Sequence, residues 1–219
     1  TIADQPQWYV IEGGSRAYVA RIAEALGSAA RTACPVQRVR RGADAVEVQT
    51  PFGSERFDHV IFACHSDEAL ALLADPSERE REILGALPYQ PNDVVLHHDE
   101  RLLPANRRAW ASWNYRVGAA DDAPATVTYH MNRLQSLRAP VQFCVSLNQT
   151  ERIDPAKVLR RFVYEHPVYT QASRAARARR AEIDGIGGTH YCGAYWENGF
   201  HEDGVRTALH VVHRLGGRL

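Results

Sequence analysis

The chain has 219 residues, 45% of them hydrophobic and 24% charged, the proportions of an ordinary globular protein long enough to bury a full core in one large or two small domains. Its 26 basic and 26 acidic residues cancel, which removes the field that would draw the whole protein to nucleic acid or anionic lipid. No apolar run approaches the roughly 18 residues needed to span a bilayer, and Thr1 to Trp8 lacks the basic start, apolar middle and small-residue cleavage site of a secretory signal, so a cytoplasmic protein is expected.

Trp8 to Ile11 reads as a short extended segment ending at Gly13-Gly14. Val19, Ile22, Ala23 and Leu26 then recur at helical spacing up to Gly27, so a glycine pair opens a helix and a glycine closes it. Three β-like runs follow, Val36 to Arg41, Val46 to Thr50 and Arg56 to Cys64, separated by Gly42-Ala43-Asp44 and Pro51-Phe52-Gly53. Within the third, Val60 to Cys64 is continuously apolar, the signature of a parallel strand covered on both faces. Ser66-Asp67-Glu68 starts a short helix through Leu73, and Ser77 with Glu80 forms a capping-box pattern for another. After Pro88 the pattern alternates and becomes aromatic-rich: Val94 to His98, Trp110 to Tyr115, Thr126 to Met131 and Gln142 to Leu147 predict a largely antiparallel sheet. Asp154-Pro155 reads as a helix start and Ala172 to Ile183 as an alanine- and arginine-rich helix, broken by Gly185 to Gly188. A last strand, Thr189 to Cys192, leads through a glycine-rich aromatic loop into a helix from about Asp203 to Leu215, closed by Gly216. The four cysteines, Cys34, Cys64, Cys144 and Cys192, are far apart and lack any Cys-x-x-Cys pairing, so they read as buried small hydrophobes rather than a zinc or disulfide framework.

The stretch Thr189 to Ala208 carries the most chemistry. A strand delivers a glycine loop and then a helix whose first turn contains Gly204, which offers backbone N–H groups to a partly negative ligand. A plain packing corner needs glycines of the same kind. The stretch resembles the C-terminal flavin motif of the amine-oxidase, protoporphyrinogen-oxidase and phytoene-desaturase superfamily. Gly13-Gly14 before a helix, the β-rich passage from Val36 to Cys64, and Asp58 to His65 follow one another as in that superfamily's cofactor domain. His97-His98-Asp99, Leu102-Leu103-Pro104, Trp110 to Asn114, Tyr129 to Gln135 and Glu165 to Val168 are similar to its NAD/FAD-binding protein branch, so the likeness runs along essentially the whole chain.

That resemblance implies an α/β fold with an α+β substrate part, the C-terminal half of a two-domain FAD-binding architecture. Residues 1–75 and 186–219 would form a discontinuous part of the cofactor domain, and residues 76–185 a substrate domain with a mostly antiparallel sheet. It implies FAD as cofactor, held by Gly13, Gly14, Val36 (beside the adenine), Ala63, Gly193, Ala194, Gly204 and Val205, with Tyr195 and Trp196 facing the flavin ring. The small-molecule substrate would be apolar or lipid-like, giving up hydride to the flavin.

Three features depart from the superfamily's pattern. No strand followed by Gly-x-Gly-x-x-Gly opens the chain, so the phosphate-binding half is expected on a preceding segment, without which FAD binds weakly and the chain is inactive. Gly193 is followed by Ala194 where relatives carry an acid, leaving Glu197 or Glu202 as substitutes. The only lysine is Lys157, while the region expected to hold the family's lysine reads Pro91-Asn92-Asp93. Two readings of other classes stay open: a non-catalytic binding or assembly module on the same fold, and a hydrolase using the histidine-rich strand. No metal is expected at His97-His98-Asp99-Glu100, because neighbours on a strand point to opposite faces.

Overall fold

A computed structural model describes residues 7, 9–117 and 125–218. In chain order the elements are α1 (Ser15–Leu26), β1 (Arg38–Arg41), β2 (Val46–Thr50), β3 (Gly53–Phe57), β4 (Val60–Phe62), α2 (Ser66–Leu72), α3 (Glu78–Gly85) and β5 (Tyr89–His97). There follow β6 (Trp113–Arg116), β7 (Thr126–His130), α4 (Met131–Leu134), β8 (Cys144–Leu147), β9 (Val158–Pro167), α5 (Gln171–Ala178), β10 (Thr189–Tyr191) and α6 (His201–Arg214). The chain divides into two compact units, Thr1–Ala30 with Pro91–His166 and Arg31–Gln90 with Pro167–Leu219.

The first unit holds α1 and a five-stranded sheet in the order β6-β7-β8-β5-β9. The pairs β6/β7, β7/β8 and β5/β8 are antiparallel, as the alternating pattern from Val94 onward requires. One expectation fails here. Asp154 does cap a turn, its Oδ1 accepting from Ala156 N–H at 3.0 Å, but the turn is a single 3-10 turn, Pro155–Lys157. It gives way at once to the ten-residue strand β9. Val158, Phe162, Val163 and Tyr164 fit a pleated surface, and pairing along β5 outweighs a local helix start. The expected extended segment at Trp8 to Ile11 is irregular from Tyr9 to Ile11, and Trp8 lies outside the described residues.

The second unit has an antiparallel meander, β1-β2-β3, and a parallel pair, β4 with β10. The predicted run Arg56 to Cys64 is split at Asp58-His59, since β3 stays in the meander while β4 pairs with β10. The core gathers Val39 and Val46 from the meander, Phe62 and Tyr191 from the parallel pair, and Ala69, Leu73, Ile83, Leu84 and Ala176 from the helices. Phe62 and Tyr191 stack with ring centroids 5.4 Å apart. Only one face of β4 is covered, however: Phe62 is buried whereas Ile61 is 43% exposed. Helix α3 is capped as its sequence predicts, Ser77 Oγ accepting from Glu80 N–H at 3.2 Å while the Glu80 carboxylate accepts from Ser77 N–H at 2.7 Å. Of the cysteines, Cys144 and Cys192 are buried and Cys34 and Cys64 half-buried; all are free thiols.

Candidate functional site

In the parallel pair Val60 aligns with Thr189, Ile61 with His190 and Phe62 with Tyr191, so both strands end at one level. From there Ala63 to His65 leads into α2, and Cys192 to Phe200 leads into α6. Carboxyl ends of adjacent parallel strands next to helix starts are where open α/β folds bind ligands. Beside β4 lies an open groove of about 650 Å³ whose walls include Val36, Val39, Ile61, Ala63, Cys64 and Leu72. Among the described residues that line it, the one charged side chain is Glu68, whose carboxylate accepts from His65 N–H at 3.1 Å.

The second strand runs into a tight loop at Gly193, which has φ +153°. A Cβ there would stand 2.5 Å from Cε1 of Tyr195, closer than any side chain tolerates, so only glycine fits. The next three residues, Ala194–Trp196, make a 3-10 turn whose first amides, those of Ala194 and Tyr195, have no partner within it. The loop packs on α6 through small atoms: a Cβ on Gly204 would meet Ala194 N at 3.9 Å and Ala194 Cβ at 4.0 Å. Thr207 bridges the two. Its hydroxyl accepts from Gly193 N–H at 3.0 Å and lies 3.2 Å from Gly193 O and 3.0 Å from Gly204 O.

Helix α6 starts at His201, two residues earlier than its sequence suggests. The Asp203 carboxylate caps it, accepting from Phe200 N–H at 3.0 Å and Asn198 N–H at 3.2 Å. The Gly204 amide is therefore inside the helix and donates to Phe200 O at 3.2 Å, so it is not offered to a ligand as the sequence led one to expect. What Gly204 contributes is room for Ala194. The substitute acids are placed too: Glu197 pairs with Arg206 at 2.6 Å, and Glu202 is exposed.

Tyr195 and Trp196 are each 5% exposed and belong to the core cluster, with ring centroids 5.1 Å apart. The Tyr195 hydroxyl and the Trp196 indole N–H have no hydrogen-bond partner among the described residues, and burial pushes the Tyr195 phenol well above its ordinary pKa. Two arginines, Arg177 in α5 and Arg180 in the 3-10 turn after it, brace the same loop. The Arg180 guanidinium lies 5.6 Å from the Trp196 ring and donates to Thr207 O at 3.1 Å. Arg177 sits 4.7 Å from the Tyr169 ring and donates to Glu197 O.

The histidine-rich strand is arranged for structure. His97 Nδ1 accepts from Asp99 N–H at 3.0 Å, so in the neutral ring the proton is on Nε2, which donates to Ser146 Oγ at 2.8 Å. Ser146 in turn lies 2.8 Å from Thr128 Oγ1, which accepts from Gln149 at 3.3 Å. A histidine already donating to the serine cannot take its proton, so this pair is not a hydrolase's nucleophile and base.

A sequence model of one family, "Flavin containing amine oxidoreductase", matches residues 3–142. The chain belongs to that family. No curated protein sequence matches it significantly. Among solved structures, the CLA-producing fatty acid isomerase from P. acnes is similar over 92% of this chain and 52% of its own, with 16% identity and a TM-score of 0.64. Putrescine oxidase bound to putrescine is similar over 94% and 53%, with 14% identity and a TM-score of 0.63. Cyclohexylamine oxidase from Brevibacterium oxydans IH-35A is similar over 93% and 53%, with 14% identity and a TM-score of 0.57. These likenesses establish the α/β fold of the amine-oxidase type, and the chain spans about half the length of each of these proteins.

Within this member of the amine oxidoreductase family, the residues singled out from sequence fall into groups. Val36 and Ala63 line one groove. Gly193, Ala194 and Gly204 meet at the loop, with Tyr195 and Trp196 buried, while Val205 is 52% exposed on α6. Gly13 and Gly14, with φ of 80° and 72°, form the turn into α1 in the other unit. Lys157 is engaged with Asp99 at 3.5 Å. In the Pro91-Asn92-Asp93 segment, Asn92 Nδ2 is 3.0 Å from His166 Nδ1, and Asp93 pairs with Arg161 at 2.6 Å. Sequence reasoning missed Ile61, Thr207 and Arg180. The one available signal for Thr207 was a hydroxyl three residues after a helical glycine, where it can turn back on the i−3 carbonyl.

Proposed function

We propose that the chain is part of an FAD-dependent oxidoreductase of the cytoplasm that removes hydride from an apolar or lipid-like substrate. One observation carries the reading: a parallel strand pair delivers the Gly193 loop against α6, and an apolar groove lined by Val36, Ile61 and Ala63 lies beside β4 of the same pair. The donor set fits a flavin nucleotide. An apolar groove suits the adenosine end, a glycine whose Cβ would clash with the Tyr195 ring keeps the loop tight, and the amides of Ala194 and Tyr195 can receive a partly negative ring edge. FAD, when bound, supplies the hydride acceptor.

In this reading Val36 and Ala63 hold the nucleotide, and Gly193 and Ala194 hold the flavin. Gly204 keeps the loop close, Val205 follows it on α6, and Gly13 and Gly14 shape the approach to α1. Tyr195 and Trp196 back the ring with a rigid, dry wall. Residues 1–75 and 186–219 would serve the cofactor and residues 76–185 the substrate, with the phosphate-binding strand and glycine loop supplied by a segment outside these 219 residues. By itself the chain would hold FAD weakly and be inactive.

Particular side chains support the substrate class. Trp113 and Tyr115 on β6 are 51% and 62% exposed, an aromatic surface on the substrate sheet. Lys157 is occupied with Asp99, and Arg161 with Asp93, which leaves neither to manage an amine's proton.

Purification of the polypeptide that carries this chain together with its dinucleotide-binding segment tests the cofactor. Flavin absorbance, retained or gained with added FAD, is expected; a protein that stays colourless in excess FAD sinks the reading. Anaerobic mixing with an unsaturated fatty acid should bleach the flavin while putrescine leaves it coloured. Bleaching by putrescine alone overturns the substrate class.

A further inference from the structure

We infer that Thr207 is a positioning residue for the cofactor: its hydroxyl sets the stand of the Gly193 loop and thereby the affinity for FAD. The inference rests on the flavin reading above and adds to it a residue that touches no ligand itself.

Thr207 lies in the second turn of α6 and is 2% exposed. A hydroxyl has one proton to give and two lone pairs to receive with. Here it accepts from Gly193 N–H at 3.0 Å and gives its proton to Gly204 O at 3.0 Å or Gly193 O at 3.2 Å. Back-bonding to the carbonyl three residues earlier is an ordinary habit of threonine within a helix. Acceptance from a strand-end glycine 14 residues away is not. That bond fastens the loop at the residue whose backbone no other amino acid can adopt there.

The main chain of the same residue is held from the other side. Arg180 donates to Thr207 O at 3.1 Å while its guanidinium covers the Trp196 ring. Thr207 thus sits between the loop's first residue and the arginine behind its last aromatic. The amides of Ala194 and Tyr195 directly follow the fastened glycine, so their position depends on this hydroxyl. A binding site 1 Å out of place loses much of its affinity.

The test uses the full polypeptide with T207V, T207S and T207A variants. Valine keeps the shape but leaves the Gly193 amide buried against a methyl group, whereas serine keeps the bridge. T207V is expected to weaken FAD binding by about tenfold or more and to alter the visible circular dichroism of the bound flavin, with T207S returning both to near the wild-type values. T207A, which removes the acceptor without adding a methyl, carries the comparison with T207S should T207V not fold. A T207V or T207A protein with wild-type affinity and spectrum overturns the role of Thr207 while leaving the flavin reading intact. T207S as weak as T207V overturns it too, because shape rather than the hydroxyl would then matter. A wild-type protein that takes up no flavin overturns both.

Discussion

The hydroxyl of Tyr191 donates to Oε1 of Glu80 across 2.6 Å, with both side chains shut away from solvent. Arg41 adds two bonds to the same carboxylate, at 2.7 and 3.0 Å, and Ser77 adds its N–H at 2.7 Å and its hydroxyl at 2.8 Å. One buried carboxylate therefore ties the end of β1, the start of α3 and the end of β10 in the candidate site. Burial by itself would raise the Glu80 pKa, but the bonds from Arg41, Tyr191 and Ser77 outweigh it and hold the group below the usual carboxylate range.

Removing either partner should be costly in different degrees. Y191F loses a hydrogen bond to a charged group, worth about 1.5–3 kcal/mol. E80A also takes from the Arg41 guanidinium, whose side chain is 11% exposed, its nearer carboxylate, leaving Asp75 at 3.5 Å, and should cost more than Y191F. The pH dependence has a fixed sign. A carboxylate whose pKa is depressed in the folded state stabilises above its unfolded pKa, and that stability is lost as pH falls through the folded value. Urea unfolding of the wild type, Y191F and E80A near neutral pH and in acid checks both statements. An E80A protein as stable as wild type in neutral buffer would refute the network.

A histidine in the sheet unit titrates with the same sign, although its neutral form is the one that burial favours. Burial brings the His97 pKa down from 6.5 to about 4, and in the neutral ring Nδ1 accepts from Asp99 N–H while Nε2 donates to Ser146. The unfolded chain binds a proton below pH 6.5 and the folded chain does not until about 4, so stability falls as pH drops through that window. The loss should be up to about 3 kcal/mol from this group. H97Q cannot titrate there, and the difference in unfolding free energy between wild type and H97Q should change sign or shrink between pH 6.5 and 4. A constant difference across the window would rule out a buried neutral His97.

How far the sequence could be read follows from where each instruction lay. Local instructions survived: Ser77 with Glu80 capped α3, Gly27 closed α1, and the alternation after Val94 became an antiparallel sheet. Instructions that competed with pairing did not, and Asp154-Pro155 yielded one turn before β9 because a strand partner was waiting in β5. The glycines of the site were legible, since a backbone with φ of +153° leaves a residue no alternative. The side chains that fix those glycines were not. Thr207 is 14 residues from Gly193, and Arg180 is 27 from Thr207, separations at which no periodic pattern reports contact. Burial was misjudged where an apolar strand looked two-sided from composition alone.

That misjudged strand yields a direct test of the groove. Ile61 and Phe62 are neighbours on β4 and point to opposite faces, one 43% and the other 4% exposed. Phe62 stacks on Tyr191 in the core, so F62D places a charge in an apolar interior and should prevent folding. Ile61 lines the open groove and is 43% exposed, so I61D should change the stability of the chain far less than F62D, by about 1 kcal/mol, the range of strand preference. In the full polypeptide the same carboxylate would face the proposed nucleotide, lowering FAD affinity by about tenfold or more through charge repulsion and lost apolar contact. Thermal unfolding of the two variants and flavin retention of I61D decide the point. If I61D is as damaging to folding as F62D, the groove is internal packing and not a binding surface; if it folds and holds FAD as wild type does, the nucleotide lies elsewhere.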